Sequence, residues 1–362
     1  MMKIAYLASI KSRHDGVSRK ILTQMTEWQR LGHKVHSFFM SRSSHPDFAT
    51  YRLWPRFNLL NPCFSIIISL WRFHPDIIYM REDNLIILRL FLLILFRNKI
   101  IIEINSDAKA EDNLIQNKSI VKKLGSTITN VINNISYKTV FGLIFVTHEL
   151  SKADTYKGCR NFAVIPNASI GKSIIKKKKT PHPPIRLLFL GSPNQPWHGI
   201  DKMVYLAKML STKIELHLVG PSMQDIAYLS PSENIITHGY CENYQDIAKQ
   251  CHIAIGTLAL HRNNMNEACP LKVREYIDAG FPIIIGYTDT AFIDKKYDFI
   301  LQIENKEDSI NKETVEKIYE FCTKECDTIL DEKVSYLISP QHIESKRISA
   351  ISQWLAESRS NE

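Results

Sequence analysis

Ile283-Ile284-Ile285 constrains the fold more than any other stretch of the chain. Three consecutive β-branched residues with no polar alternation describe a strand buried on both faces, the habit of a parallel sheet covered by helices. Pro282 forbids helix at that point, and Gly280 suits the left-handed turn that ends one. Upstream, Pro270 can sit at the first position of a helix, because the N–H it lacks would have had no partner there. The spacing therefore predicts a helix over 270–279 that feeds a buried strand. Two carboxylates frame it: Glu267 in the preceding loop and Glu275 a turn and a half inside.

The same alternation recurs along the chain. Lys3–Ser9 reads as a strand, 10–16 as a loop, Val17–Leu31 as a helix ended by Gly32, and Val35–Met40 as a second strand, which makes a βαβ unit. Residues 41–62 read as loop with one short element. Strands follow at Ile77–Met80, Ile100–Ile104, Leu143–Val146 and Phe162–Ile165. Leu85–Phe96 reads as a helix that is apolar nearly all round, either buried or in contact with a membrane or a lipid-linked molecule. Lys176–Lys179 with Pro181, Pro183 and Pro184 reads as a charged, proline-rich linker. Beyond it the pattern restarts with strands at Ile185–Leu190, Ile214–Val219, Ile235–His238 and Cys251–Thr257, and a helix at Ile200–Leu210. A chain of 362 residues is too long for one ordinary core. The expected division is 1–170, a linker at 171–184, a second domain at 185–338 and a closing amphipathic segment at 339–362.

A net charge of +9 asks for a partner. Zinc-ligand spacing, a basic heptad region and an aromatic RNA-binding box are all missing, which argues against nucleic acid. An anionic membrane surface is the favoured alternative, with simple solubility also open. Apolar runs fall short of the roughly 20 residues that span a bilayer. Met1–Ser9 lacks a secretory cleavage pattern. Seven cysteines without Cys-x-x-Cys spacing read as reduced thiols in a cytoplasmic protein. Asp289–Asp294 is too diffuse to read as a metal-binding pair.

The start of the 270–279 helix is a candidate anion site, since unpaired N–H groups and the positive end of the peptide dipole meet there. Lys272 and Arg274 add positive charge in the first turn and a half, where the dipole by itself would favour acids. A solvated amphipathic helix is the plainer reading of the same residues.

The string from Glu267 to Gly286 resembles the Glu-x7-Glu signature of retaining GT-B glycosyltransferases of the family-four group, with Pro-Leu, a helix, Ala-Gly, Pro and a hydrophobic strand in matching order. The resemblance implies an α/β fold of two doubly wound, Rossmann-like domains facing a cleft, with a C-terminal helix crossing back to the first. It implies that Glu267 meets a donor sugar and Glu275 the ribose hydroxyls, with the helix tip at Pro270 and Leu271 presenting the backbone amides that follow the proline. Pro166-Asn167 resembles the family's interdomain crossing, and 340–354 its returning helix, anchored by Trp354. Gly16, in Asp15-Gly16-Val17, matches the first-loop glycine that lets a donor approach, though an ordinary turn explains it equally. Arg81, Glu103 and Asn105 stand at strand ends on the acceptor side; Asn105 occupies a place where many relatives carry His. Tyr240 falls where relatives frame the nucleotide base, or is an ordinary surface tyrosine.

One departure matters. The family's Arg and Lys at the donor diphosphate are replaced by Ser192 and His198. The leaving diphosphate needs its charge stabilised, so the expected substitutes are His198, acting protonated as a weaker cation, and Lys272, with Arg262 or Arg274 in support. His198 can instead merely pack at its helix start. The implied reaction is metal-independent hexose transfer from a nucleotide sugar, with retention and no cofactor. The implied acceptor is a glycan on a polyprenyl diphosphate carrier, in O-antigen, capsule or other lipopolysaccharide assembly at the inner face of the cytoplasmic membrane. A nucleotide-sugar epimerase and a catalytically silent GT-B scaffold remain open, separable by whether nucleotide release requires an acceptor and whether donor hydrolysis depends on Glu275.

Overall fold

In the computed structural model the described residues are 1–10, 16–41, 50–52, 60–81, 86–106, 120–170, 183–241 and 243–360. The chain divides into two compact units, Met1–Ile170 with Pro340–Glu362, and Gly171–Ser339. The linker lysines Lys176–Lys179 and Asp15 fall outside the described residues.

The first unit is built on a parallel sheet of β1 (Lys3–Ile10), β2 (Lys34–Ser41), β3 (Thr50–Arg52), β4 (Ile77–Arg81), β5 (Ile100–Ile104), β6 (Gly142–Phe145) and β7 (Phe162–Val164), in the order β3-β2-β1-β4-β5-β6-β7. The chain runs outward from β1 in one direction and then returns to the other side with β4. That makes the gap between β1 and β4 the switch point at which such sheets bind ligands. Helix α1 (Gly16–Arg30) packs against the final long helix of the chain, Pro340–Ser360. On the other side α2 (Leu60–Phe73), α3 (Ile86–Phe96) and α4 (Ile120–Thr139) stand side by side. Trp354 of the final helix lies so close to β6 that a Cβ on Gly142 would come within 2.7 Å of its ring. Glycine is therefore what lets that helix seat on the sheet.

The core of this unit carries a buried ionic network. Lys20 and Arg347 face Glu103, which is completely buried; Arg347 Nε also donates to Glu344 at 2.9 Å. Tyr79 donates to Glu103, Gln24 Nε2 to Glu103 at 3.2 Å, and Trp28 Nε1 to Glu344 at 2.8 Å. Two anions and two cations are thus matched inside the fold, joining β4, β5, α1 and the final helix. Lys20, Gln24 and Trp28 reach it together because residues four apart share a helix face.

The second unit repeats the plan with β8 (Ile185–Leu190), β9 (Ile214–Val219), β10 (Ile235–Gly239), β11 (Ile253–Ile255), β13 (Ile283–Ile285) and β15 (Ile300–Gln302), ordered β10-β9-β8-β11-β13-β15. A two-stranded ladder joins β12 (Glu267–Ala268) to β14 (Thr288–Asp289). Helices α5 (Ile200–Met209), α6 (Leu271–Asp278) and α7 (Lys312–Glu325) belong to this unit, and the returning helix Pro340–Ser360 is α8. Each sheet has the strand order of a Rossmann-type fold.

Differences from the sequence reading are local. β3 is a short element inside the expected 41–62 loop, α2 and α4 are additional, and the 251–257 strand shrinks to Ile253–Ile255 because Cys251 and His252 serve as its approach. Pro270 is the N-cap of α6, with extended backbone (φ −71°, ψ 139°), so the helix begins one residue later. Helix α3 is buried on one face only: Leu88 and Leu92 face inward, while Ile94 and Leu95 are 77% and 55% exposed.

Removing one partner of a buried ion pair leaves the others uncompensated, which costs about 3–5 kcal/mol. Glu103→Ala is expected to destabilise the first unit by that order in urea unfolding. Lys20 and Arg347 hold the Glu103 carboxyl well below the usual carboxylate range against its burial. Its contribution is therefore fully present above the ordinary carboxylate pKa and lost as pH falls, so the gap between variant and wild type should narrow in acid.

Candidate functional site

The switch point of the second sheet lies between β8 and β11, and five of its six strands run directly into a glycine: Gly191, Gly220, Gly239 (the last residue of β10), Gly256 and Gly286. Four of these are closely approached: a Cβ on Gly191 would lie 2.6 Å from the Phe189 ring and one on Gly286 2.8 Å from the Leu258 backbone, and the other two are Gly220 and Gly256. A Cβ on Gly220, whose φ is +108°, would lie 1.9 Å from the Gly191 carbonyl oxygen, and one on Gly256 would meet Ile285 at 2.9 Å and Val273 of α6 at 3.2 Å. The carboxyl edge of the sheet is consequently lined by backbone.

Two pieces of chain close over that edge. The turn Pro196–His198 is fixed by Leu258 N–H to the His198 carbonyl (3.1 Å) and Ala259 N–H to the Trp197 carbonyl (3.2 Å). Helix α6 is held by Tyr276, whose hydroxyl accepts from Leu190 N–H at 2.7 Å. Val273, Arg274, Tyr276 and Ile277 form its buried stripe, which leaves Leu271, Lys272 and Glu275 on the partly open side. Sequence spacing alone implies this separation, since Lys272 and Glu275 are three apart and Arg274 is not on their face.

Lys272 is the unusual group. Its ammonium nitrogen is buried without a hydrogen-bond partner among the described residues and sits 4.2 Å from the centre of the Phe189 ring. Burial lowers its pKa from 10.5 to about 7. His198 stands beside Phe189 with its ring centroid 5.3 Å away, its Nδ1 also unpartnered. Burial, then the positive charge of Lys272, lowers the His198 pKa from 6.5 to about 3. The imidazole is therefore neutral near pH 7, which corrects the expectation of a protonated His198: two neighbouring buried cations would repel, and the histidine loses its proton.

Two other expected cations are spent on carboxylates. Arg274 is completely buried and paired with Asp289, with Cys269 Sγ 3.2 Å from its guanidinium. Arg262 forks onto Asp201 at 2.8 and 2.7 Å and also bonds Glu307. Neither offers a free positive charge. Glu275 accepts from the Tyr244 hydroxyl, a partner that no spacing in the sequence announces. Glu267 is half-buried on β12, in register with Thr288. Tyr240 is 81% exposed at the end of β10. Among the described residues no group of three His, Cys, Asp or Glu gathers where it would hold a metal ion.

In the first unit Gly16 opens α1 beyond the end of β1, and Arg81 and Glu103 are register partners at the ends of β4 and β5. Asn105 accepts from Lys20 at 2.9 Å. Glu103, being fully buried in its ionic network, cannot itself touch an acceptor, which corrects that expectation; Arg81 and Asn105 are half-buried beside it. Lys20 was not among the expected site residues. Its signal was a lysine on the inward stripe of an amphipathic helix.

No protein-family model matches this chain, and no curated protein does. Solved structures do match over its full length. A sucrose-phosphate synthase from Thermosynechococcus elongatus superposes with a TM-score of 0.68 at 12% identity, covering 99% of this chain and 100% of that one. The lipopolysaccharide outer core galactosyltransferase WaaB in its apo form gives 0.64 at 14%, covering 97% and 99%. Anabaena HepE, solved in complex with UDP-glucose, gives 0.61 at 13%, covering all of both chains. At such identities the likeness defines the fold, which is that of the GT-B glycosyltransferases.

An uncompensated ammonium is costly to bury. Lys272→Met is expected to stabilise the ligand-free protein by a few kcal/mol near pH 7. Between pH 7 and 10.5 the unfolded chain binds the proton that the folded one has released, so wild-type stability rises with pH across that window. Thermal melts should show the advantage of the variant shrinking as pH is raised toward 10.

Proposed function

We propose that the protein is a retaining glycosyltransferase that moves a hexose from a nucleotide sugar to a glycan acceptor carried on a polyprenyl diphosphate. The observation that carries this reading is the buried, unpartnered Lys272 ammonium in the first turn of α6, at the backbone-lined switch point of the second sheet. A diphosphate there would meet the helix-tip amides at Leu271 and Lys272 and a cation held ready for it. Lys272 would take up a proton as the anion arrives and stabilise the charge that grows on the leaving diphosphate. Neutral His198 would hydrogen-bond rather than neutralise. Glu275, positioned by Tyr244, would hold the ribose hydroxyls, and Glu267 would meet the sugar.

The domain roles follow from the same reading: the unit containing residues 185–338 takes the donor, and the unit containing residues 1–170 takes the acceptor, where Arg81 is the remaining candidate cation. Solved glycosyltransferases of this fold that hold UDP or UDP-glucose, such as HepE, support a nucleotide-sugar donor. WaaB, a lipopolysaccharide enzyme by its description, supports surface-polysaccharide assembly as the setting.

Calorimetry tests the charge assignment directly. Binding of a nucleoside diphosphate at pH 8 should be accompanied by uptake of up to one proton, read from titrations in buffers of different ionisation enthalpy. Lys272→Met should abolish that uptake and weaken binding at least tenfold, the order expected for a charge-assisted contact. Glu275→Ala should weaken nucleoside diphosphate much more than inorganic pyrophosphate. Proton uptake unchanged in Lys272→Met would remove this residue from the site, and the absence of nucleoside-diphosphate binding would remove the donor assignment altogether.

A further inference from the structure

Helices α2, α3 and α4 of the first unit are amphipathic in the wrong sense for a surface in water. Each seats an apolar stripe on the sheet: Ile66 and Leu70 of α2, Leu88 and Leu92 of α3, Ile132 and Val140 around the end of α4. Each also carries a second apolar stripe outward, at helical spacing. On α2 these are Phe64, Ile68 and Trp71, exposed by 48%, 50% and 67%; on α3 they are Leu90, Ile94 and Leu95; on α4, Val131 and Ile135. The helices are neighbours, with Phe64 and Phe91 rings 5.6 Å apart between α2 and α3. Scattered exposed hydrophobics are ordinary, but a run of them across three adjacent helices marks an interaction face.

Charge identifies the partner. Neither these three helices nor the turn Arg97–Lys99 after α3 contains a single Asp or Glu, whereas Arg72, Arg97, Lys99 and Lys138 are exposed on them. Among the described residues of these helices the outward apolar face carries cations and no acid, which fits a surface that is apolar within and anionic at its rim. A protein groove of ordinary mixed charge would not require every acid to be missing. Among the described residues no helix is long and apolar enough to cross a membrane, so the face would lie in the interface rather than span it.

We propose that the outward face of α2, α3 and α4 docks on an anionic lipid leaflet, with Trp71, Ile68 and Ile94 inserted at the headgroup boundary and Arg72, Arg97 and Lys138 against lipid phosphates. This deepens the reading of a lipid-linked acceptor, because docking would hold the acceptor-taking unit where such a substrate resides. It is tested without donor or turnover, so the two readings fail separately.

The experiment is co-sedimentation of the full chain with vesicles of phosphatidylglycerol and phosphatidylcholine, compared with phosphatidylcholine alone. Binding to the anionic vesicles should be at least tenfold tighter and should fall as salt is raised. The tryptophan emission should shift to the blue on binding, and Trp71→Phe should remove most of that shift although four other tryptophans remain. Ile68→Asp with Ile94→Asp should reduce binding at least tenfold with an unchanged melting temperature, since both side chains are at least half exposed. Equal binding by that double variant, or a blue shift that survives Trp71→Phe, overturns the proposal. So does a lipid-free dimer that the double variant dissociates while vesicle binding is unaltered, which would make a second copy of the chain the true occupant.

Discussion

Parallel pairing is the constraint from which the rest of this molecule follows. Every strand of both main sheets points the same way as its neighbours, so every connection must cross back over a face, and all strand carboxyl ends collect on one edge. In the second unit that edge is lined with glycine, where a methyl group on Gly220 would lie only 1.9 Å from the Gly191 carbonyl oxygen. A bare backbone edge leaves room for a ligand and aims amides at it. The helix α6 and the turn Pro196–His198 then bring Lys272 and His198 to this point, and the chemistry of each is set by how deeply it is buried.

The two units handle buried charge in opposite ways. Around Glu103 each charge has its counterpart, and tyrosine, glutamine and tryptophan add hydrogen bonds to the two carboxylates. Arg274 with Asp289 follows the same rule. Lys272 does not: its nitrogen has an aromatic face for company and a histidine that has given up its proton. Paired charges of the first kind organise a core. An unpaired one stores unfavourable energy that an anion can relieve, and such local violations are where function is expected.

Much of the framework could be read from residue order. The apolar runs Ile77–Met80, Ile100–Ile102, Leu187–Leu190 and Ile283–Ile285 mark strands because nothing polar interrupts them, and Gly280 and Pro282 punctuate the helix between strands. Helix α4 was illegible because its asparagines, threonines and serines lower helix propensity, and packing against α3 and the turn Asp154–Tyr156 decides it. Helix α3 misled for the converse reason: being apolar nearly all round, with Arg89 its one charge, it gave no hint of which side the sheet would take.

Sequence by itself determined the alternation of strand and helix, the α/β class, and the presence of Glu267, Lys272 and Glu275 around one helix start, because these depend on local spacing and backbone stereochemistry. Tertiary structure alone decided which charges remain available. Arg262, Arg274 and Glu103 look as free in the sequence as Lys272 does, yet Asp201, Asp289 and Lys20, 61, 15 and 83 residues away, consume them. Pairing at such separations is fixed by which chain segments the fold brings into contact, and no local pattern encodes it.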